Sequence, residues 1–321
     1  MQEGTPMAVF VEDWGANYGS AYLVTPDDVG SATAELVEDG PDLRVHDGMP
    51  PELGDGAIAF VDGVRRGEAA LWQEDDAGRW GRGVAGGHAC GAVIADAAGA
   101  AFGECRVHRM IIWGSGLAGG LPPIQGGWSW AVASVADPNP DAPAKELQIR
   151  MRQQEGLLAE DLCAAGYLTI VDGPLNFVRS RDLPVVGYVK THHRALLDPE
   201  HHKLIPKLGA GQRTSLFRLG ADRYSAYLRL TPVAATSSPW TGIVRIEVPQ
   251  SAGLAAAIST VDRIAGMIPR YAGVPHRDPR APQNLQPIGA LEQHLRHRLG
   301  SAALATRAVR EAVAIFAGAL L

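Results

Sequence analysis

Glycine-interrupted apolar runs on either side of one long helical segment constrain the fold of this chain most strongly. The runs GAIAFVDG, GEAALWQED, GHACGAVIADAAG and ECRVHRMIIWG follow one another between residues 56 and 114 and predict an antiparallel meander. Residues 144–165 place leucines and a methionine near helical spacing, with charged residues between them. The runs YLTIVDGPL and VVGYVKTHH come next, and their nearly continuous apolar character is typical of buried strands. This order predicts an α/β fold with a mixed sheet flanked by helices.

The two ends of the chain differ in character. Residues 1–56 mix short apolar runs with acidic and glycine- or proline-rich turns, which indicates an irregular amino-terminal appendage with some helix. Towards the other end, RYSAYLRL and TGIVRIEVP predict additional strands, and two alanine-rich segments predict carboxy-terminal helices. We therefore expect an appendage over 1–56 and one main domain over 57–321.

Composition narrows the class of protein. The 321 residues are 46% hydrophobic, enough for a substantial core, without a run of about 20 apolar residues. The acidic amino terminus lacks the basic flank of a signal peptide, so we expect a cytoplasmic protein with no membrane partner. Cys90, Cys105 and Cys163 are odd in number and show no CxxC spacing, which predicts buried thiols rather than a zinc cage or a disulfide framework.

Charge is distributed unevenly along the chain. The formal net charge is −6, and residues 1–100 contain 18 Asp and Glu against 5 Lys and Arg. Residues 179–229 reverse this balance, with 10 Lys and Arg against 4 Asp and Glu. The second segment therefore predicts a basic face able to meet the phosphates of a nucleic acid.

Two Asp-Gly pairs close very similar apolar runs, as Asp62 in FVDG and Asp172 in IVDG. A carboxylate at the end of a buried strand needs a cation, a metal or hydrogen bonds to offset its desolvation, although either pair alone would equally suit a simple turn. The helix before the second pair carries Glu146, Glu155 and Glu160. Convergent carboxylates of this kind favour Mg²⁺ or Mn²⁺. Paired carboxylates also serve glycosidases, but no aromatic-rich sugar platform accompanies them here.

The segment VDGPL followed by VVGYVK resembles the NurA nuclease family over roughly residues 57–300. That resemblance implies a ribonuclease-H-like core and a metal-dependent deoxyribonuclease with a manganese (or magnesium) site. Carried over residue by residue, it assigns Asp62 and Asp172 to the metal, Glu155 in preference to Glu160 or Glu146, and His294 in preference to His297. The histidine comes from LQPIGALEQHLRHRLG, which occupies the place of the family's final motif.

Basic residues near these motifs are candidates for holding DNA. Lys190 matches the strand-end lysine of the family and is also a candidate catalytic residue, with a solvated lysine as the alternative. Arg65 and Arg66 follow the first aspartate directly and either reach the same phosphate or pair with the acidic amino-terminal region. Arg229 belongs to the basic segment. We predict that these four residues bind DNA.

The resemblance further implies 5′-to-3′ resection of DNA ends, a homodimer and a HerA-type hexameric ATPase partner. Val64 departs from the family, which usually has serine after the Asp-Gly pair. This departure, with the acidic amino-terminal region, leaves open a catalytically inactive adaptor that docks on a DNA-translocating ATPase.

Histidine pairs and aromatic residues offer weaker candidates. His192–His193 and His201–His202 are adjacent pairs, whose side chains point to opposite faces of a strand, and this favours surface or phosphate contacts over a zinc site. Four aromatic residues in or just after the basic segment are candidates for base stacking, although core packing is the favoured interpretation: Phe217, Tyr224, Tyr227 and Trp240.

Overall fold

The computed structural model describes residues 9–11, 34–50, 56–179, 184–190, 195–233, 238–278 and 280–318. His192 and His193 lie outside the described residues. The strands are β1 (Val9–Val11), β2 (Glu35–Leu36), β3 (Val45–Asp47), β4 (Ile58–Glu74), β5 (Trp80–Asp96), β6 (Gly99–Trp113), β7 (Ala131–Ser134), β8 (Leu168–Asp172), β9 (Val185–Val189), β10 (Gln212–Thr214), β11 (Phe217–Leu219), β12 (Arg223–Arg229) and β13 (Ile243–Pro249). The helices are α1 (Ala142–Ala164), α2 (Pro199–His202), α3 (Leu254–Met267), α4 (Gln286–Arg298) and α5 (Ala302–Gly318).

All of these strands join one mixed sheet. Its main path runs β2-β11-β12-β13-β9-β8-β4-β5-β6-β7, while β1 pairs with the far end of β4 and β10 links β12 to β3. The meander β4-β5-β6 is antiparallel, whereas β8 is parallel to β4 and β9 is parallel to β8. The α/β fold class predicted from the sequence is confirmed. The central order β6-β5-β4-β8-β9, with α1 before β8, is the arrangement expected of a ribonuclease-H-like core.

Strand β4 corrects one detail of the sequence interpretation. GAIAFVDG and GEAALWQE, read above as two strands separated by an Asp-Gly turn, form one continuous strand of 17 residues. Asp62 pairs with Gly91 and Gly63 with Cys90, so the ladder to β5 passes through the Asp-Gly pair without a break. Asp62 therefore lies inside a strand, whereas Asp172 does end β8.

Helices cover both faces of the sheet around the centre. Leu158 and Ala159 of α1 pack with Val61 of β4 on one face. On the other, Leu291 and Leu295 of α4 share a core with β4 residues of the opposite parity, Phe60 and Val64 among them, and with α3. Because side chains alternate along a strand, Asp62 belongs to the α4 face.

A glycine allows α1 to approach the segment that follows β8. A Cβ at Gly156 would overlap the backbone carbonyl of Phe177, which lies in the 3-10 turn Leu175–Phe177. The backbone contact cannot yield as a flexible side chain would, so the absence of a side chain at 156 sets how closely the helix sits beside the end of β8.

The described part of residues 1–56 contains three short strands that join the main sheet, and the residues between β2 and β3 are irregular. Strand β2 pairs with β11 and β3 with β10, and acidic side chains accompany them. Glu38 accepts two hydrogen bonds from Arg213, at 2.7 and 2.8 Å, and Glu35 accepts one from Arg218 at 2.7 Å. Two arginines of the expected basic face, Arg213 and Arg218, are thus paired with acidic residues of the amino-terminal region.

Several smaller predictions can be compared directly with the structure. Phe217, Tyr224 and Tyr227 are buried, which confirms core packing for these three rings. Cys90 and Cys163 are buried free thiols, and Cys105 is half-buried. His201 pairs with Asp198, and His202 lies 5.0 Å from Trp240 between ring centroids. Within the described ranges, no helix is both long and apolar enough to cross a membrane.

Candidate metal centre

Asp62 and Asp172 lie side by side at the centre of the sheet. The parallel pairs between β4 and β8 advance from Ile58–Leu168 to Val61–Val171, and the two aspartates are the next residues on their strands. Equal register in a parallel pair gives equal orientation, so both side chains point to the α4 face. Asp62 is only 4% exposed, and Asp172 is half-buried.

Glu292 of α4 completes a group of three carboxylates. One oxygen each from Asp62, Asp172 and Glu292 lies within 4.8 Å of the others. Glu292 is itself buried and accepts bonds of 2.8 and 2.7 Å from the two terminal nitrogens of Arg280. We call Asp62, Asp172 and Glu292 the carboxylate triad. Its oxygens are close enough to be ligands of a single ion.

Sequence reasoning missed Glu292, although a signal for it existed. Ile288, Leu291 and Leu295 form the buried stripe of α4, and Glu292 falls on that stripe. An acidic residue among buried apolar positions is the same anomaly that identified Asp62. The family motif drew attention to a histidine two residues later instead.

Glu155 approaches from the α1 face, through an opening left by Gly63. A Cβ at residue 63 would overlap Oε1 of Glu155 and come within 2.9 Å of Met151. Glu155 is 1% exposed, and its Oε1 has no hydrogen-bond partner within the part of the chain that the structure describes. Its Oε2 accepts a bond of 2.8 Å from Arg152, which also donates to the backbone carbonyl of Asp172 at 2.7 Å. Arg152 therefore ties α1 to the end of β8.

Lys190 reaches the triad from the end of β9. Its Nζ donates to Oδ2 of Asp172 at 2.6 Å and to Oδ1 of Asn284 at 2.5 Å. Asn284 is buried and donates in turn to Asp278 at 2.6 Å. Burial alone would raise the pKa of Asp278, but hydrogen bonds from Asn284 and Arg280 outweigh it and lower that pKa to about 2. An ionised Asp278 thus holds Asn284 in the orientation that accepts from Lys190.

The site carries an excess of negative charge in a poorly solvated position. Burial raises the pKa of Asp62 well above its usual range, and the carboxylates of Asp172 and Glu155 raise it further. Burial also raises the pKa of Glu155, although Arg152 opposes the shift. Lys190 and Arg152 lower the pKa of Asp62 without cancelling these effects. A protonated Asp62, or an added cation, relieves this repulsion.

The donor set fits a hard divalent cation. Carboxylate oxygens are the ligands that Mg²⁺ and Mn²⁺ prefer, and three of them converge within 4.8 Å. The buried Oε1 of Glu155 lacks a hydrogen-bond partner among the described residues, and this carboxylate is close enough to Asp62 to raise the pKa of that group. Arg280 and Lys190 occupy other lone pairs of the triad and hold its members in place.

His294 is not brought into the triad. Its ring stacks on Phe102 of β6, with ring centroids 4.2 Å apart and planes inclined by 13°. Among the described residues, the group of possible metal ligands at this site contains Glu292 and not His294. The structure therefore favours Glu292 where the family resemblance suggested a histidine.

The arginines predicted to bind DNA have different environments. The guanidinium of Arg229 is buried and donates to four backbone carbonyls, those of Leu208, Thr241, Pro206 and Pro239, at 2.5–2.9 Å. Its side chain therefore holds loops together, and a role for Arg229 in binding DNA stays a prediction.

Arg66 is also engaged within the protein. It donates to the carbonyls of Gly300 and Leu299, just beyond α4, and to Glu68 at 2.9 Å. These bonds satisfy carbonyls at a helix end and give Arg66 a structural role, while its contact with DNA stays a prediction. Arg65 is half-buried, and burial lowers its pKa. Contact between Arg65 and DNA stays a prediction.

Comparison with solved structures shows a distant likeness in fold. No family model matches the sequence, and no curated protein matches it. Among solved structures, the NurA nuclease from Sulfolobus solfataricus aligns over 87% of this chain and 86% of its own, with 11% sequence identity and a TM-score of 0.44.

Proposed function

We propose that this protein is a divalent-metal-dependent nuclease that hydrolyses phosphodiester bonds of DNA. The observation that carries the proposal is the carboxylate triad, whose oxygens lie within 4.8 Å of one another in the middle of the sheet. Asp62, Asp172 and Glu292 would hold Mn²⁺ or Mg²⁺, with Glu155 beside them. When bound, such an ion activates water and offsets the charge that develops on the phosphate oxygens.

The protein groups around the triad have distinct tasks in this proposal. Lys190 fixes one oxygen of Asp172 and places a positive charge where a phosphate would approach. Arg152 holds Glu155 and the last residue of β8 in a fixed relation. Arg280 orients the carboxylate of Glu292 by two parallel hydrogen bonds. Each task is one of positioning, which a site for metal-assisted hydrolysis requires.

Finer features of the proposal rest on the sequence resemblance alone. They are 5′-to-3′ resection of DNA ends, a homodimeric state and partnership with a HerA-type hexameric ATPase. The Val64 departure has a structural account: the side chain is 8% exposed and belongs to the core shared with α4. An apolar residue suits that buried position.

The proposal is tested by incubating the protein with end-labelled single-stranded and blunt duplex DNA in Mn²⁺, in Mg²⁺ and in EDTA. We expect cleavage with metal and at least about a hundredfold loss in Asp172→Asn, since even residues that only support metal ligands contribute 10- to 100-fold. Asp141→Asn is the matched control, because Asp141 is exposed and its side chain makes no capping hydrogen bond.

Absence of cleavage by the folded protein on every substrate with either metal would reject the nuclease. In that case the adaptor remains, and binding to a HerA-type ATPase, measured with the purified hexamer, becomes the relevant assay. Equal cleavage by the wild type and Asp172→Asn would instead place the activity elsewhere in the molecule.

A further inference from the structure

A cavity of about 620 Å³ lies beside the triad on the α4 face. Its walls come from the start of β6, the first turns of α4 and the segment between Tyr271 and α4. This volume falls within the roughly 300–1,000 Å³ of small-ligand sites. None of the tasks assigned to the carboxylates or to Lys190 requires such a space.

Shared residues connect the cavity to the triad. Asn284 lines the cavity and also holds Lys190, which holds Asp172. Gln293 lines it too and is the neighbour of Glu292 on α4. On β5, the wall residue Val93 lies two positions from Gly91, the partner of Asp62, a separation of roughly 7 Å along a strand. A DNA strand held at the carboxylates would therefore pass the mouth of the cavity.

The chemistry of the walls suits a flat, largely uncharged group. Phe102 is 51% exposed and stacks on His294, so the pair of rings offers a platform at the cavity edge. Val93 and Val274 supply apolar wall, and the amides of Gln286 and Gln293 supply hydrogen-bonding groups. Stacking on aromatic rings with a few amide contacts is how proteins bind unpaired bases.

We propose that this cavity accepts an unpaired base of the DNA strand whose phosphate is held at the carboxylate triad. The proposal rests on the proposed nuclease function and deepens it, because it specifies a single-stranded segment next to the cleaved bond. Arg277, exposed at the mouth, is placed to meet the backbone of that strand.

The test uses a fluorescein-labelled single-stranded DNA of twelve nucleotides in which one abasic position is moved along the sequence. Binding is measured by fluorescence anisotropy in Ca²⁺, so that binding is read without turnover. For the wild type, we expect one or two adjacent abasic positions to weaken binding by about fivefold or more, since stacking of a base is worth about 1–3 kcal/mol.

Two variants assign that effect to the cavity. Ala290→Trp fills its mouth from α4, and Ala303→Trp places the same side chain on an exposed position of α5 outside the cavity. We expect Ala290→Trp to bind intact DNA less tightly and to lose the position-dependent abasic effect, while Ala303→Trp behaves as the wild type does. Phe102→Ala, which removes half of the platform, gives a second reading if Ala290→Trp fails to fold.

A flat abasic profile in the wild type, absence of measurable binding, or an unchanged profile in both Ala290→Trp and Phe102→Ala would overturn the proposal. Failure here is separable from failure of the nuclease, because one experiment measures binding and the other measures cleavage. DNA cleavage together with a flat abasic profile would reject the base site alone. A position-dependent abasic profile without cleavage would reject the nuclease function alone.

Discussion

Asp62 lies directly beside Asp172 because β4 and β8 run parallel, with pairs that advance in step to Val61–Val171. Neighbouring carboxylates of like charge inside a sheet destabilise each other unless a cation or a proton intervenes. Burial and this proximity together raise the pKa of Asp62. In the absence of metal, the two aspartates therefore destabilise the folded protein.

Asp62→Asn should stabilise the metal-free protein, because it removes a buried charge without changing the size of the side chain. We expect the free energy of unfolding in EDTA at pH 8 to rise, since burial and the neighbouring carboxylates raise the pKa of Asp62 and so disfavour its charged form in the folded state. Chemical denaturation measures this, with Asp141→Asn as the control. A clear loss of stability in Asp62→Asn would show that the charge is already compensated.

The stability of the metal-free protein should depend on pH through Asp62. Its folded pKa is raised, so above about pH 4, the ordinary aspartate value, the folded state retains a proton that the unfolded state has released. The stabilising contribution is complete below that pH and is lost as pH rises through the folded pKa.

Unfolding in EDTA across a pH series, compared between the wild type and Asp62→Asn, measures this contribution. The comparison is needed because burial lowers the pKa of His88 to about 4, which gives stability the opposite slope between about pH 4 and 6.5. If the difference in the free energy of unfolding between the wild type and Asp62→Asn stays constant with pH, Asp62 is not the source of the pH dependence.

Gly63→Ala should damage the site while leaving the fold intact. The added Cβ overlaps Oε1 of Glu155 and lies 2.9 Å from Met151, so Glu155 must move. We expect metal-dependent DNA cleavage to fall by at least about tenfold, as loss of a group that supports a metal site does, and stability to fall by about 1–3 kcal/mol. Gly103→Ala is the control, since a Cβ there meets Ile94 at an ordinary 3.4 Å. Full activity in Gly63→Ala would show that catalysis does not require Glu155 in its present position.

Arg229→Lys should weaken the fold rather than binding to DNA. Four backbone carbonyls accept from this guanidinium, and a lysine cannot reproduce its fork of donors. Carbonyls left without donors in a buried position cost about 1–3 kcal/mol each. We expect the denaturation midpoint to fall, while the affinity of the folded variant for DNA stays that of the wild type. Weakened DNA binding at unchanged stability would instead show that Arg229 binds DNA.

The order of strands and helices was predictable because each central element has an apolar pattern of its own. Residues 144–165 were predicted as a helix, and α1 spans Ala142–Ala164. YLTIVDGPL and VVGYVKTHH contain β8 and β9. Asp172 could be located at a strand end for the same reason. The length of β4 could not be predicted, because pairing with β5 over the whole strand overrides the local preference of Asp-Gly for a turn.

Long-range partners were beyond reach of the sequence. Arg229 lies in an ordinary basic segment, and only the folded chain shows that it donates to carbonyls of two segments, 206–208 and 239–241. The acidic residues at 35 and 38 likewise meet basic residues far along the chain. Glu292 could have been identified from the periodicity of α4, because it falls among the buried positions of that helix. The family resemblance directed the assignment to a histidine of the same segment instead.

Binding of Mn²⁺, followed by electron paramagnetic resonance of the free ion, tests the carboxylate triad most directly. The wild type and His294→Gln should bind Mn²⁺ with similar affinity, whereas Asp62→Asn, Asp172→Asn and Glu292→Gln should each lose at least about tenfold, the scale of loss expected at a metal site. Circular dichroism establishes that the variants are folded. Equal Mn²⁺ affinity in all five proteins, or loss confined to His294→Gln, would contradict a metal centre built from Asp62, Asp172 and Glu292.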